Sequence, residues 1–233
     1  MELNDIIQEL KSQQNEENIQ GMARFGINPS KVFGVRIPTL RKIAKTVKKK
    51  NKLNFEHNHE LAIKLWNYGY HETRILATMI DEPELVTEDQ LEKWTSDFNT
   101  WDITDQACLN LFDKVPLARK KIFTWCKSDK EFVKRTAFSL IAVLTVHDKT
   151  ASDQYFEDFF PIIIEAAIDE RNFVKKAVNW SLIFIGKRNK NLNNKAIAVS
   201  NEILAIDSKS AKWIARNALK ELKSEKVQLK LEV

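Results

Sequence analysis

Residues Glu131 to Leu140 read EFVKRTAFSL and residues Asn172 to Ser181 read NFVKKAVNWS, so a Phe-Val-Lys triplet recurs in two separate segments. At the same interval further on, the segment WIARNALKEL (Trp213 to Leu222) is in the same register. A period of about 40 residues is typical of stacked helix pairs, in which each pair buries its apolar face against the next. The spacing therefore predicts an all-α fold, a single-domain solenoid of HEAT-like helical repeats.

Two earlier segments resemble more divergent units of the same kind, LAIKLWNYGYHETRILATMI at 61–80 and WDITDQACLNLF at 101–112. Glycine and proline number only five each in 233 residues. A sheet protein needs turn residues at every hairpin and a nucleotide-binding α/β protein needs a glycine-rich loop, so both classes are excluded. No low-complexity linker divides the chain. We predict one repeat domain over residues 1–223 and a tail over 224–233.

Residues that typically cap or begin helices lie where these repeat units require a helix to start. TEDQ at Thr87 to Gln90 and SDKE at Ser128 to Glu131 both match a capping box before an apolar-periodic stretch. Pro38 suits the first turn of the helix IPTLRKIAK. Each of these signals predicts a helix start.

The net charge of +5 is distributed unevenly along the chain. Residues 81–113 hold ten acids and one base, whereas residues 171–223 hold twelve bases and three acids. Such asymmetry favours an anionic partner that meets the carboxy-terminal half. The alternative is that long helices simply carry solvated charge.

Cysteine usage and the amino terminus indicate the compartment. The two cysteines form no CxxC pair, residues 1–20 are acidic, and every apolar run is far shorter than a membrane-spanning helix requires. We expect a cytoplasmic protein without a secretory signal or membrane span. His57 and His59 are two residues apart, a spacing that places them on different helix faces, so no metal site is expected. Core packing is the default for four tryptophans, Trp66, Trp94, Trp125 and Trp213.

The repeat register places basic residues in equivalent slots. One slot holds Lys134, Lys175 and Arg216, and the next holds Arg135, Lys176 and Asn217. Equivalent positions of stacked repeats share one surface, commonly the concave one. Bases repeated in register would form a stripe along a concave basic groove, which suits a polyanionic rod. Nucleic acid is therefore the leading partner.

A tryptophan and an aspartate share one helix face in TWDITD, where Trp101 and Asp105 are four residues apart. Asp105 lies 30 residues before Arg135, an interval shorter than that between the later repeats. It therefore falls at or near the slot that holds basic residues elsewhere. A carboxylate in a cationic groove makes sense if it faces a cation that sits or develops in the substrate. Trp180 lies four and five residues after the basic residues Lys176 and Lys175 on the same predicted helix. It suits an aromatic wall of the groove, or equally a core position in a stripe with Phe173 and Phe184.

The segments GVRIPTLRKIAK, TWDITDQA, EFVKRTAF and NFVKKAVNWSL resemble the bacterial DNA alkylation repair glycosylases built from HEAT-like repeats (the AlkD-like superfamily). The resemblance runs from about Gly21 to Lys223. It implies an enzyme whose basic groove wraps duplex DNA. Such an enzyme excises cationic N3- or N7-alkylated purines without fully flipping the base.

Carried over to this chain, the resemblance implies that Trp101 and Trp180 pack against the deoxyribose of the lesion and that Asp105 is the catalytic carboxylate. Arg135 matches a DNA-contacting arginine. The family commonly has an arginine three residues after the second tryptophan, where this chain has Ile183. Lys187 and Arg188 lie a turn further on and are candidates to replace it.

The function expected from these residues is a DNA glycosylase that acts on double-stranded DNA, as a monomer and without a cofactor, associated with the nucleoid when bound. Its catalytic set is Asp105, Trp101 and Trp180, and its DNA-binding set is Arg135, Lys134, Lys175, Lys176 and Arg216. The alternatives are a non-catalytic module that binds DNA of unusual structure and a scaffold that binds partner proteins.

Overall fold

The computed structural model describes residues 1–52 and 54–232. Within these ranges the chain forms helices and no strands. The α-helices are α1 (Leu3–Ser12), α2 (Glu16–Ala23), α3 (Ile37–Lys50), α4 (Phe55–Tyr68), α5 (His71–Ile80), α6 (Glu88–Asp97), α7 (Trp101–Asn110), α8 (Pro116–Trp125), α9 (Glu131–His147), α10 (Asp153–Glu157), α11 (Phe160–Ala166), α12 (Asn172–Gly186), α13 (Lys190–Ala205), α14 (Lys209–Leu222) and α15 (Glu225–Leu231). Short 3-10 turns occupy Pro29–Lys31, Pro83–Leu85 and Phe112–Lys114. The all-α prediction is confirmed.

The helices pack in two layers. Helices α3, α5, α7, α9, α12 and α14 form the inner layer, in which each helix contacts the next. In the outer layer α4 packs on α5, α8 on α9, α11 on α12, and α13 on both α12 and α14. This is the architecture of a solenoid of helix pairs.

One continuous apolar cluster runs through the layers from Ile6 to Leu222. Trp66 and Trp94 stack within it, with ring centroids 4.1 Å apart, and Trp125 is also buried. Three of the four tryptophans expected in the core are therefore there. The fourth, Trp213, is 39% exposed, so its core assignment was wrong. Its position on the inner layer faces the surface because no further helix pair of the described residues covers that side.

Local punctuation decides where several helices begin. The Thr87 side chain accepts a hydrogen bond from the Gln90 backbone N–H at 3.2 Å, so the predicted helix start at α6 is confirmed. The capping box itself is not closed, because the Gln90 side chain donates to Asp81 Oδ2 instead. At α9 the prediction was wrong, because Lys130 is the N-terminal flanking residue and Ser128 accepts from the Lys130 N–H instead. Pro38 lies in the first turn of α3 as predicted.

A buried carboxylate ties the segment before α3 to the inner layer. Glu72 of α5 is fully buried and accepts hydrogen bonds from the backbone N–H groups of Phe33, Gly34 and Val35 at 2.7–3.1 Å. Gly34 has φ +73°, and a Cβ there would lie 2.3 Å from the Asn15 carbonyl oxygen. Only glycine fits this close approach.

The segment assigned to a tail folds back on the last repeat. Residues 225–231 form α15, Val227 is buried, and the Gln228 side chain donates to the Leu222 carbonyl at 2.6 Å. Val233 lies outside the described residues.

Candidate functional site

The fifth residues of the inner helices from α5 to α12 form one row across the layer. Helices α5, α7 and α9 begin at residues 71, 101 and 131, so their starts are evenly spaced. Fifth positions of adjacent inner helices therefore lie side by side. The row consists of Ile75, Asp105, Arg135 and Lys176.

Asp105 and Arg135 form a bidentate ion pair at the centre of this row. The Arg135 Nε donates to Asp105 Oδ1 at 3.1 Å and Nη2 donates to Oδ2 at 2.7 Å. The Ser139 hydroxyl donates to Oδ1 at 2.8 Å. Burial raises the pKa of Asp105, while the guanidinium and the hydroxyl oppose that rise by stabilising the ionised form. These hydrogen bonds hold the Asp105 carboxylate in one orientation, and the Arg135 guanidinium balances its negative charge.

Arg135 is buried rather than presented to an exposed DNA strand. Its side chain is 6% exposed, and its third donor, Nη1, is bonded to the Phe173 carbonyl oxygen at 2.7 Å. Its guanidinium joins α7, α9 and α12 at the wall of the cavity, and its contact with DNA stays a prediction. Its place in the structure is that of a group that orients Asp105.

The two predicted tryptophans and Asp105 line one cavity of about 700 Å³. Trp101 is the first residue of α7, one turn before Asp105. Trp180 of α12 is partly buried, with its ring edge-on to Phe184 at 5.6 Å. Trp180 therefore packs on Phe184, as expected of a core residue, and also lines the cavity, as expected of an aromatic wall. Phe173 and Lys176 complete the α12 side.

Of the other predicted cations, two bond the neighbouring repeat. The Lys134 ammonium lies 3.1 Å from Asp169 Oδ2, and the Lys175 ammonium lies over the Trp213 ring, 5.1 Å from its centroid. Burial opposes ionisation of Asp169, but hydrogen bonds from Arg171 and Lys134 hold its pKa at about 2. The recurrence of these lysines along the sequence is therefore explained in part by contacts between repeats.

Lys176 and Arg216 remain open to an anionic partner. Both are exposed. Lys176 borders the cavity, and Arg216 lies on a basic face of α14 built around Trp213, with the further cations Lys209, Lys212 and Lys220. This face extends the row beyond Lys176 as a surface that combines an aromatic ring with positive charge.

The position where the family commonly has an arginine is part of the core here. Ile183 is 7% exposed and belongs to the main apolar cluster. Neither candidate replacement is free: Lys187 is bonded to Glu221, and Arg188 donates to the carbonyls of Thr145 and Ala151. Both cations therefore make contacts between helices, and their role as replacements stays a prediction.

A second cavity of about 620 Å³ adjoins the first on its amino-terminal side. His71 Nε2 lies 2.8 Å from Asp102 Oδ2 at its wall. Burial would raise the pKa of Asp102, but the hydrogen bonds it receives, from His71 above all, lower it overall. Asp102 and Asp105 of α7 therefore line different cavities, and they pair with His71 and Arg135 respectively.

Sequence reasoning missed one aromatic residue at the site, Phe25. Phe25 lines both cavities together with Arg24. Its only signal is the RF pair in a segment without apolar periodicity. Trp213, which the sequence assigned to the core, instead lies in a surface pocket of α14 and contacts Lys175.

Two further observations concern the described residues as a whole. None of their helices has the length and apolar character required to cross a membrane. They contain no group of three or more histidine, cysteine or acidic side chains arranged to hold a metal ion.

Comparisons with known proteins agree with this architecture. The chain is 26% identical over 217 residues to the uncharacterized protein Lmo0209 of Listeria monocytogenes, covering 85% of this chain and 93% of that one. A solved structure superposes with a TM-score of 0.80 at 21% identity, covering 99% of this chain and 96% of the other. It represents a new family of proteins related to the HEAT-like repeat DNA glycosylases with affinity for branched DNA structures. At that identity the likeness establishes the HEAT-like fold.

The model of a protein family described as DNA alkylation repair enzyme matches residues 6–222, nearly the whole chain. The match includes every helix from α2 to α14 and all residues of the central cavity. The chain belongs to the DNA alkylation repair enzyme family.

Proposed function

We propose that this protein is a DNA glycosylase that releases cationic N3- or N7-alkylated purines from duplex DNA. The observation that carries the proposal is the cavity in which Trp101, Trp180 and Asp105 meet on the inner layer. It is open at the surface, and its neighbours Lys176 and Arg216 supply exposed positive charge for the DNA backbone.

The chemistry asks little of the protein beyond electrostatics. An alkylated purine already carries positive charge, so it leaves without a general acid. As the C1′–N bond breaks, its electron pair neutralises the purine ring and the sugar gains oxocarbenium character, which a nearby carboxylate stabilises. Water bonds to C1′ and passes its proton to bulk solvent, which leaves a neutral free base and a sugar hydroxyl at C1′. Asp105, oriented by Arg135 and Ser139, is placed to supply the negative charge.

The tryptophan rings suit the deoxyribose on either side of that carboxylate. Their faces are electron-rich and attract a sugar that becomes positive. Enclosure by rings also lowers the local dielectric, which strengthens the interaction between Asp105 and the developing cation.

Release of free base from methylated duplex DNA tests the proposal. We expect the wild-type protein to release N7-methylguanine or N3-methyladenine and the variant Asp105→Asn to lose release by at least about a hundredfold, the scale of a lost transition-state charge. Because Asp105 is the partner of a buried guanidinium, this variant is also expected to be less stable. Urea unfolding must therefore accompany each rate.

Asp113→Asn is the matched control. Asp113 is equally a buried carboxylate, bonded to His147 Nδ1 at 2.7 Å, but it lies outside the cavity. Because its partner His147 is 40% exposed, Asp113→Asn should cost less folding stability than Asp105→Asn, and it should release base at the wild-type rate. A folded Asp105→Asn protein with undiminished release would refute the role of Asp105.

A second candidate function is DNA binding without chemistry. It is favoured by the occupation of both Asp105 oxygens by Arg135 and by the burial of Ile183 where the family commonly has an arginine. The solved relative with affinity for branched DNA structures has the same fold. Salt-dependent binding to branched DNA, with no base released from methylated duplex by the wild-type protein, would identify this function instead.

A further inference from the structure

A third, smaller cavity lies where two inner helices begin. Helix α5 begins at His71 and α7 at Trp101, and the residues shortly before these starts, Gly69 and Thr100, line the cavity. The positive ends of two helix dipoles therefore meet at it. Its volume is about 50 Å³, which is room for on the order of four water molecules or one small oxyanion. None of its described lining residues is an aspartate or a glutamate.

Arg74 of α5 brings an incompletely balanced positive charge to this cavity. Its Nη1 donates to the Asp97 carbonyl oxygen at 3.0 Å, and its guanidinium carbon lies 5.2 Å from the centroid of the Trp66 ring. These contacts fix the side chain, but its buried Nε has no hydrogen-bond partner among the described residues. Burial lowers the pKa of Arg74, and the charge of Asp97 opposes this only in part. An anion beside Nε would complete both the hydrogen bonding and the charge balance of this arginine.

Thr100 contributes a second unpaired group from the start of α7. The residue is 6% exposed, and its hydroxyl is buried without a hydrogen-bond partner in the described part of the chain. Thr100 flanks the N-terminus of α7, but its side chain does not cap that helix. Asp102, whose pKa the Thr100 hydroxyl helps to lower, lines the neighbouring cavity and pairs with His71. Because a buried hydroxyl without a partner is costly, the hydroxyl favours an acceptor oxygen inside the cavity.

We propose that this cavity is a phosphate-binding site, in which a tetrahedral oxyanion accepts hydrogen bonds from Arg74 Nε and Thr100 Oγ1 between the N-termini of α5 and α7. The exposed Lys31 adds positive charge at the same cavity. Arginine side chains and helix N-termini are groups that proteins commonly use to hold phosphate. Since Thr100 directly precedes Trp101 of the reaction cavity, a backbone phosphate of bound DNA and a free phosphate ion are the two sources of the ligand. The inference does not depend on the proposed function.

Binding of inorganic phosphate to the full-length protein tests the site. We expect phosphate to raise the melting temperature of the wild-type protein more than sodium chloride does at equal ionic strength. Arg74→Lys keeps a positive charge but removes the Nε–H, and Thr100→Val removes the hydroxyl at nearly constant shape. Each variant should bind phosphate at least about tenfold more weakly in a calorimetric titration, the scale of one hydrogen bond to a charged group.

Thr136→Val is the matched control for these variants. Thr136 is also a fully buried threonine, but its hydroxyl is bonded to the Phe132 carbonyl at 2.7 Å and lies outside the cavity. This variant should bind phosphate as the wild type does, and circular dichroism checks that every variant is folded. Equal responses of the wild-type protein to phosphate and chloride would overturn the site and leave the cavity to water alone. Undiminished phosphate binding by folded Arg74→Lys and Thr100→Val would overturn it as well.

Repeating the titration with saturating duplex DNA distinguishes the two sources of phosphate. Loss of phosphate binding in the presence of DNA, together with weaker DNA affinity in Arg74→Lys, assigns the site to a phosphate of the DNA strand. Unchanged phosphate binding assigns it to a free phosphate ion. The first titration contains no DNA and measures no release of base, so its failure would leave the proposed function intact.

Discussion

Helices α9 and α12 begin with nearly the same sequence, EFVKR and NFVKK, yet their basic pairs meet different neighbours. In α9, Lys134 and Arg135 are bonded to the carboxylates of Asp169 and Asp105. In α12, the equivalent Lys175 lies over the ring of Trp213, and the adjacent Lys176 is exposed at the cavity. The same motif therefore holds the fold together in one repeat and offers charge to a ligand in the next.

The difference shows that the role of a repeated cation depends on what the adjacent helix presents. A buried cation beside a carboxylate contributes to stability, because its removal leaves an uncompensated charge. An exposed cation contributes mainly to long-range attraction and to contacts with an anionic partner. The two helices can therefore be told apart by measuring stability and DNA binding separately.

The largest effect is expected from substitution at equivalent positions of the two helices. Arg135→Ala leaves Asp105 buried without its partner and should lower the free energy of unfolding by about 3–5 kcal/mol. Lys176→Ala should change it by less than about 0.5 kcal/mol, as is usual at exposed positions. Urea unfolding monitored by circular dichroism measures both, and equal losses would contradict the contrast between the helices.

A second prediction concerns the pH dependence of Asp169, which pairs with Arg171 and with Lys134 of α9. The pKa of Asp169 is held at about 2, below its unfolded value, so its contribution is complete above about pH 4 and is lost as the pH falls towards 2. We expect the wild-type protein to lose about 2 kcal/mol more than Asp169→Asn over this range. The free energy of unfolding measured at several acidic pH values checks it. Parallel pH profiles for the two proteins would exclude the ion pair as a source of stability.

The smallest effect is expected from the exposed cations of α12 and α14. Lys176→Ala and Arg216→Ala should each weaken DNA binding a few-fold and lower the slope of log K against log salt by about one unit, the change for one lost phosphate contact. Lys64→Ala, on outer helix α4, is the control and should leave the slope unchanged. A salt titration of duplex affinity measures all three, and an unchanged slope for Lys176→Ala would remove that residue from the DNA interface.

Much of the architecture follows from the sequence because it rests on local patterns. The recurrence of the Phe-Val-Lys triplet predicts the helix pairs, and the separation of Trp101 from Asp105 by one helical turn in TWDITD predicts that they share one face. Their presence with Trp180 at one cavity agrees with that analysis. The capping signal at Thr87 worked for the same reason, since its partner Gln90 is less than one turn away.

The partners of the cations could not be predicted in this way, because they depend on the register in which distant helices stack. Arg135 reaches Asp105 on the preceding inner helix and Phe173 on the following one, and Lys134 reaches Asp169 across a loop. Burial then decides whether each charge is neutralised by such a contact. The exposure of Trp213 and Phe25 is likewise decided by where the helix layers end.

The sequence by itself determined the solenoid of helix pairs and the identity of the residues that could carry chemistry, because periodicity and short spacings act within one helix or one repeat. Only the tertiary structure decided that Asp105 is oriented by a buried Arg135, that Lys176 and Arg216 stay open, and that Phe25 stands uncovered at the cavity. The physical reason is that packing between repeats, rather than residue type, sets the partner and the solvent exposure of each side chain.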